Sequence, residues 1–196
     1  MNLKNYYWYF DSELSDKICD DIIEYAKSTR EKERAKIGLG TYAQEKYQDL
    51  KRQRNSDVCW IDEPWLYEIL NPYIHTANVN ANWNFNLDWT EKIQFGCYRK
   101  NSHYDWHCDS TTVNKENRYR KVSTIVMLSN PSDYEGGQLK FQFRNNVDPT
   151  IEDTLVDGNL QGNIIVFPSY VWHKVEPVTK GVRYSLVTWT WGPPFK

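Results

Sequence analysis

The chain has 196 residues, enough for one domain with a sizeable core. Its 24 basic and 26 acidic residues leave a formal net charge of −2, so there is no bulk attraction to nucleic acid or to an anionic membrane. Aromatic residues are abundant, with 9 Trp, 14 Tyr and 7 Phe, and together with β-branched runs in the second half they point to a β-rich fold. The four cysteines (Cys19, Cys59, Cys97 and Cys108) form no CxxC pair, and their density is too low for a disulfide scaffold. Reduced thiols in a cytoplasmic protein are expected. The N-terminus shows no signal-peptide pattern, and no run is apolar enough to span a membrane as a helix.

Residues 6–10 read as a short strand. Ser15 can cap a helix expected over residues 15–29, where Leu14, Ile18, Ile22 and Tyr25 recur at helical spacing. Residues 30–56 are polar, broken by Gly38 and Gly40, with a basic cluster at Lys51, Arg52 and Arg54. They read as a solvated loop, and a lid over the substrate is the sharper alternative. Pro64 opens a second helix with the stripe Trp65, Leu66, Ile69, Leu70, Tyr73 and Ile74. Pro72 should kink or break it. His75 near its end reads as a surface residue, and the Asn-rich residues 78–86 read as turns.

From residue 89 the period changes to that of strands. Residues 89–98 alternate and lead into a loop over 99–103 that includes His103. Residues 122–128 form an apolar strand, and Gly136-Gly137 turns into another that reaches Phe141. A loop is expected over 144–153, a buried strand over 164–167 and a turn over 176–181. The last run alternates, with Arg183, Ser185 and Val187 on one face and Tyr184, Leu186 and Thr188 on the other. About eight short strands behind N-terminal helices make a single-domain jelly roll or sandwich.

The chemistry centres on Tyr104-Asp105-Trp106-His107-Cys108-Asp109. On a strand, His107 and Asp109 at i and i+2 share a face, while Cys108 between them points away as a small core residue. His173, far downstream, completes two imidazoles and one carboxylate, the facial triad of a non-haem Fe(II) site with open positions. Arg183 follows ten residues after His173, and Arg183 with Ser185 on one face suits a carboxylate.

These four elements together resemble the Fe(II)- and 2-oxoglutarate-dependent dioxygenases, in the prolyl 4-hydroxylase-like branch. The resemblance is good over about residues 90–192 and looser over the N-terminal helices. It implies a double-stranded β-helix (jelly roll, cupin-like) braced by two or three helices, with helical support over about 1–88 and the core over 89–196. His107, Asp109 and His173 would hold Fe(II). Arg183, with Ser185 and Tyr98, would bind 2-oxoglutarate. Tyr104, Trp106 and Trp189 are the substrate-side candidates. O2 would be consumed, 2-oxoglutarate would yield succinate and CO2, and ascorbate would support turnover. Met127 departs from relatives that carry a co-substrate-binding Tyr in this strand. Family members that halogenate lack the carboxylate; Asp109 is present, which favours hydroxylation.

The expected substrate is a prolyl residue of a peptide or protein, with a small free molecule open. Two rival readings use the same ligands. A non-catalytic, cupin-like metal-binding module would not need the Arg183-x-Ser185 grip. A zinc hydrolase would need a general base beside the histidines, and no Glu stands there.

Overall fold

Ile22 and Ala26, one turn apart, place the buried stripe of α1 (Asp16–Thr29), and the Ser15 hydroxyl accepts from Ile18 N at 3.4 Å at its start. These features come from a computed structural model that describes residues 6–29, 33–34, 52–110, 113–142, 152–154 and 160–195. The second helix, α2 (Pro64–Asn80), buries Leu66, Leu70, Ile74 and Ala77. Contrary to the sequence expectation, Pro72 does not break it. Pro72 and Glu68, whose carbonyl loses its helical donor, are both on the exposed side, where water can take the vacant bond. The helix also claims residues 78–80, and the Asn-rich turn begins at Ala81. Asn78 organises that turn, accepting from Phe85 N and donating to Phe85 O at 3.0 Å each.

The strands in chain order are β1 (Trp8–Phe10), β2 (Glu33–Arg34), β3 (Arg54–Asn55), β4 (Asp57–Ile61) and β5 (Trp89–Thr90). Then come β6 (Ile93–Tyr98), β7 (His103–His107), β8 (Tyr119–Met127), β9 (Tyr134–Gly136) and β10 (Leu139–Gln142). The last five are β11 (Glu152–Thr154), β12 (Ile164–Pro168), β13 (Trp172–Val175), β14 (Val178–Gly181) and β15 (Arg183–Gly192). There are more strands than expected, for identifiable reasons. The run 89–98 splits at Glu91, whose N–H turns to Trp189 O. The expected turn at 176–181 contains β14, and His103 starts a strand instead of sitting in a loop. Most of the expected loops over 30–56 and 144–153 lies outside the described residues, so the lid expectation does too.

Every described pairing of named strands is antiparallel. The large sheet runs β1-β12-β8-β15-β6-β4-β2, with β5 beside β15; the smaller runs β11-β10-β13-β7-β3. The large sheet is buried on both faces. Outward, Phe95, Val126, Val166 and Leu186 pack with Ile22, Leu66, Leu70 and Ile74 of the helices. Inward, Tyr98, Ile125, Met127 and Phe167 meet Leu139, Phe141 and Val175 of the small sheet. Each such buried side chain contributes about 1.5–3 kcal/mol. The two packed sheets are the expected jelly roll. Among the described residues, no helix is long and apolar enough to cross a membrane.

Gly162 ties the start of α1 to the turn before β12. Its φ is +82°, and a Cβ there would come within 2.0 Å of Leu14 O. Gly162→Ala should therefore destabilise the fold by roughly 2–3 kcal/mol, read as a lower midpoint in urea unfolding.

Candidate active site

The two histidines meet across the small sheet. His107 on β7 is the direct cross-strand partner of His173 on β13, and Phe141 on β10 is the next partner of His173. Paired residues share a face, so both imidazoles point between the sheets, with ring centroids 4.1 Å apart. Asp109 arrives differently from the sequence expectation. The strand ends at His107, and Asp109 lies in the turn beyond, anchored by its N–H to Ser169 O at 2.8 Å. It still converges on the same point: the ligand atoms of His107, Asp109 and His173 lie within 4.8 Å of one another. Cys108 is half-buried rather than part of the core.

Backbone carbonyls fix both rings. His107 Nδ1 donates to Asp105 O at 2.7 Å and His173 Nδ1 to Val171 O at 3.0 Å, because a carbonyl can only accept. That leaves each Nε2 facing the carboxylate, at 3.9 Å for His107 and 3.6 Å for His173, too far for hydrogen bonds. Burial, and then the neighbouring His173 ring, push the His107 imidazole well below its ordinary pKa. Burial opposes charge on Asp109, but His173, His107 and the Ser123 hydroxyl outweigh it and hold the carboxyl below its usual range. Two imidazoles and a buried carboxylate, converging without hydrogen bonds between them, form a donor set that a divalent cation fits.

Ser123 Oγ donates to Asp109 Oδ2 at 2.7 Å and lies 2.9 Å from Ser169 Oγ, so one carboxylate oxygen is held from behind. Sequence reasoning missed both serines; for Ser123 the signal was a pair of hydroxyls, Ser123 and Thr124, within the apolar run 122–128. Ser123→Ala should keep the fold and weaken metal binding about 10–100-fold in a metal titration.

Arg183 is the large buried group behind this cluster, 1% exposed. It pairs in register with Tyr98, whose ring centroid is 5.3 Å from the guanidinium carbon. Its Nη1 donates to Ser185 Oγ at 3.3 Å and its Nη2 to Met127 Sδ at 3.1 Å, while Nε has no partner among the described residues. Gly137 makes room for the stem: its φ is +67°, and a Cβ there would come within 3.0 Å of Arg183 Cδ. No described carboxylate answers this charge, which leaves donors for an anionic ligand.

At the mouth, strict alternation fails. The pairings His173↔His107 and Val175↔Tyr104 leave one more residue on β7 than on β13, a bulge that turns Tyr104 onto the face of His107. Their rings stack at 3.5 Å. Burial raises the Tyr104 hydroxyl to about 12, with Arg54 opposing. Trp106 instead faces out, 4.8 Å under Lys174 Nζ, so it leaves the substrate-side set. Trp189, the other substrate-side candidate, is buried, and its indole N–H has no hydrogen bond among the described residues. Two further groups went unforeseen. Arg120, in a double ion pair with Glu91, lies 3.9 Å over Trp189, and Arg54 lies 4.5 Å over Tyr104. The other two histidines stay away from the cluster: His103 contacts Arg52 O and Asn101 O, and His75 is exposed.

Residues 93–191 match the family described as the 2OG-Fe(II) oxygenase superfamily. The chain belongs to that superfamily. A PKHD-type hydroxylase of Synechococcus sp. (strain JA-2-3B'a(2-13)) is 31% identical over 99 residues, covering 50% of this chain and 41% of that relative. The chain thus spans less than half the length of the curated relatives it matches. Among solved structures, a Pseudomonas putida prolyl-4-hydroxylase superposes with a TM-score of 0.69 at 19% identity, over 96% of this chain and 94% of that one. A viral collagen prolyl hydroxylase from Paramecium Bursaria Chlorella virus-1, solved as a 2OG complex, gives 0.66 at 17% identity, over 95% and 96%. These likenesses establish the oxygenase fold over nearly the whole chain. Met127, the departure noted in the sequence, presents a thioether to Arg183.

Proposed function

We propose that the chain is one catalytic domain, an Fe(II)- and 2-oxoglutarate-dependent hydroxylase acting on a prolyl residue of a peptide or protein. The observation that carries this reading is the convergence of His107, Asp109 and His173, together with a buried Arg183 that has no carboxylate partner among the described residues. Fe(II), which His107, Asp109 and His173 would hold, would supply the oxidising power for an unactivated C–H, with 2-oxoglutarate and O2 consumed and succinate and CO2 released. The protein's own part is positional. The two carbonyl-bonded imidazoles and the Ser123-bonded carboxylate hold a rigid triad. Arg183 and Ser185 would take the distal carboxylate of the co-substrate, beside Tyr98. Phe141 and Phe167 flank His173, with ring centroids 6.2 and 4.8 Å away, and exclude water from the site.

The prolyl assignment draws on the named relatives and on the ring surfaces of Tyr104 and Trp189 at the mouth, which suit a compact apolar ring. A small free substrate uses the same mouth. Ascorbate would keep the metal reduced, and four cysteines without a CxxC pair suit a cytoplasmic enzyme.

The test is succinate release by purified protein with Fe(II), 2-oxoglutarate and ascorbate, first alone and then with proline-rich peptides and free amino acids. Slow release that accelerates with a peptide, with one added oxygen on its proline, is expected. Acceleration by a free amino acid alone would reassign the substrate. Metal binding without succinate under any condition would make the chain a cupin-like binding module.

A further inference from the structure

We propose that Met127 is an oxidation site, and that its sulfoxide closes the co-substrate pocket. The proposal rests on the reading of Arg183 as the carboxylate grip. The Arg183 guanidinium has five N–H donors, yet it reaches one hydroxyl, Ser185 Oγ at 3.3 Å, and one thioether, Met127 Sδ at 3.1 Å. A thioether is a weak acceptor, so the grip is under-satisfied and free to take an oxygen anion. A sulfoxide in the same place is a strong acceptor. Its oxygen would bond to the Nη2 donor and fill space that the dicarboxylate needs.

The oxidant class is a hydroperoxide. The sulfur lone pair attacks the terminal peroxide oxygen, the O–O bond breaks, an S–O bond forms, and the leaving oxygen takes up the proton that the transferred oxygen carried. Thioether and hydroperoxide become sulfoxide and alcohol, or water when the oxidant is hydrogen peroxide. Access follows from geometry. Met127 and Arg183 are each 1% exposed, and any route that admits a five-carbon dicarboxylate to Arg183 admits the smaller peroxide to the sulfur beside it. Met127 pairs with Ser185 across β8 and β15, so the added oxygen enters the pocket at the level of the grip.

The chain has two methionines, Met1 and Met127, which makes the experiment clean. The full chain, metal-free, is treated with hydrogen peroxide, returned to thiol reductant and reloaded with Fe(II). Peptide mass spectrometry should show one added oxygen on Met127, and glutarate, a five-carbon dicarboxylate without the peroxide-reactive keto group, should suppress its addition. The KM for 2-oxoglutarate should rise by about tenfold or more, the worth of one charge-assisted hydrogen bond, with kcat retained at saturation. The melting shift produced by 2-oxoglutarate should shrink in parallel, and methionine sulfoxide reductase should reverse both changes. In Met127→Leu, whatever its starting KM, peroxide should not move it, which separates sulfur oxidation from damage at the cysteines.

Met127 staying reduced at doses that oxidise a free methionine peptide would overturn the proposal. So would a fully oxidised protein with unchanged KM. If Arg183→Met leaves the 2-oxoglutarate requirement untouched, the pocket reading itself fails. If that variant loses 2-oxoglutarate while oxidised wild type keeps it, only the role of Met127 fails.

Discussion

Asp109→Ala is expected to abolish metal retention and turnover while leaving a folded protein. Asp109 supplies the only negative charge in the convergent set, and a divalent cation there would otherwise face two neutral imidazoles. The loss should exceed the roughly 10–100-fold expected when only an outer hydrogen-bond partner is removed. The fold should survive because the groups left behind still have partners: Ser123 Oγ keeps Ser169 Oγ at 2.9 Å, and the Asp109 backbone N–H keeps Ser169 O at 2.8 Å. In the metal-free state His173, His107 and the Ser123 hydroxyl outweigh the burial that opposes the carboxylate's charge, so its removal should lower stability at neutral pH without unfolding the chain. The decisive comparison is melting temperature with and without metal. Wild type should be stabilised by metal and the variant should not; a variant with full iron occupancy and normal succinate release would remove Asp109 from the site.

The triad was legible because three ligands of two types and one guanidinium kept their spacing in a chain with only four histidines. Its geometry was legible only in part. Reading His107 and Asp109 as strand neighbours gave the right convergence for the wrong reason, since the carboxylate is placed by a turn tied to Ser169. Alternation also put Tyr104 with Trp106, and one bulge residue reversed that, which no local pattern announces. The same limit applies to Ser123, Arg54 and the Glu91–Arg120 pair, which reach the site through cross-strand register and not through sequence proximity. Alternation in β15 did hold: Arg183, Ser185 and Val187 face the inner core, while Tyr184 and Leu186 face the helices. That strand lies between β6 and β8, paired on both sides, so its register had no freedom to slip. The Pro72 error has a physical cause as well, because a proline on the wet side of a helix leaves a carbonyl that water can satisfy.

Arg183→Met should separate binding from stability in opposite directions. The side chain is fully buried, its Nε has no hydrogen bond among the described residues, and its nearest acceptors are neutral. A buried charge in that state costs several kcal/mol, a cost recovered only when an anion arrives. An unbranched thioether fills similar space without the charge, beside Met127, Tyr98 and Val178. Without 2-oxoglutarate, the variant should unfold at equal or higher denaturant than wild type, with a gain of about 1 kcal/mol or more. With 2-oxoglutarate, the order should invert: wild type is stabilised, and the variant is not. The variant's affinity for 2-oxoglutarate should fall by about two to three orders of magnitude, the cost of leaving a buried carboxylate without its partner. Metal binding should persist, because His107, Asp109 and His173 make no hydrogen bond to Arg183. Equal destabilisation of both forms would mean that Arg183 is a structural cation rather than the grip. A selective loss of the ligand-bound form would mean that the fold carries a standing electrostatic cost at this position, relieved only when the co-substrate binds.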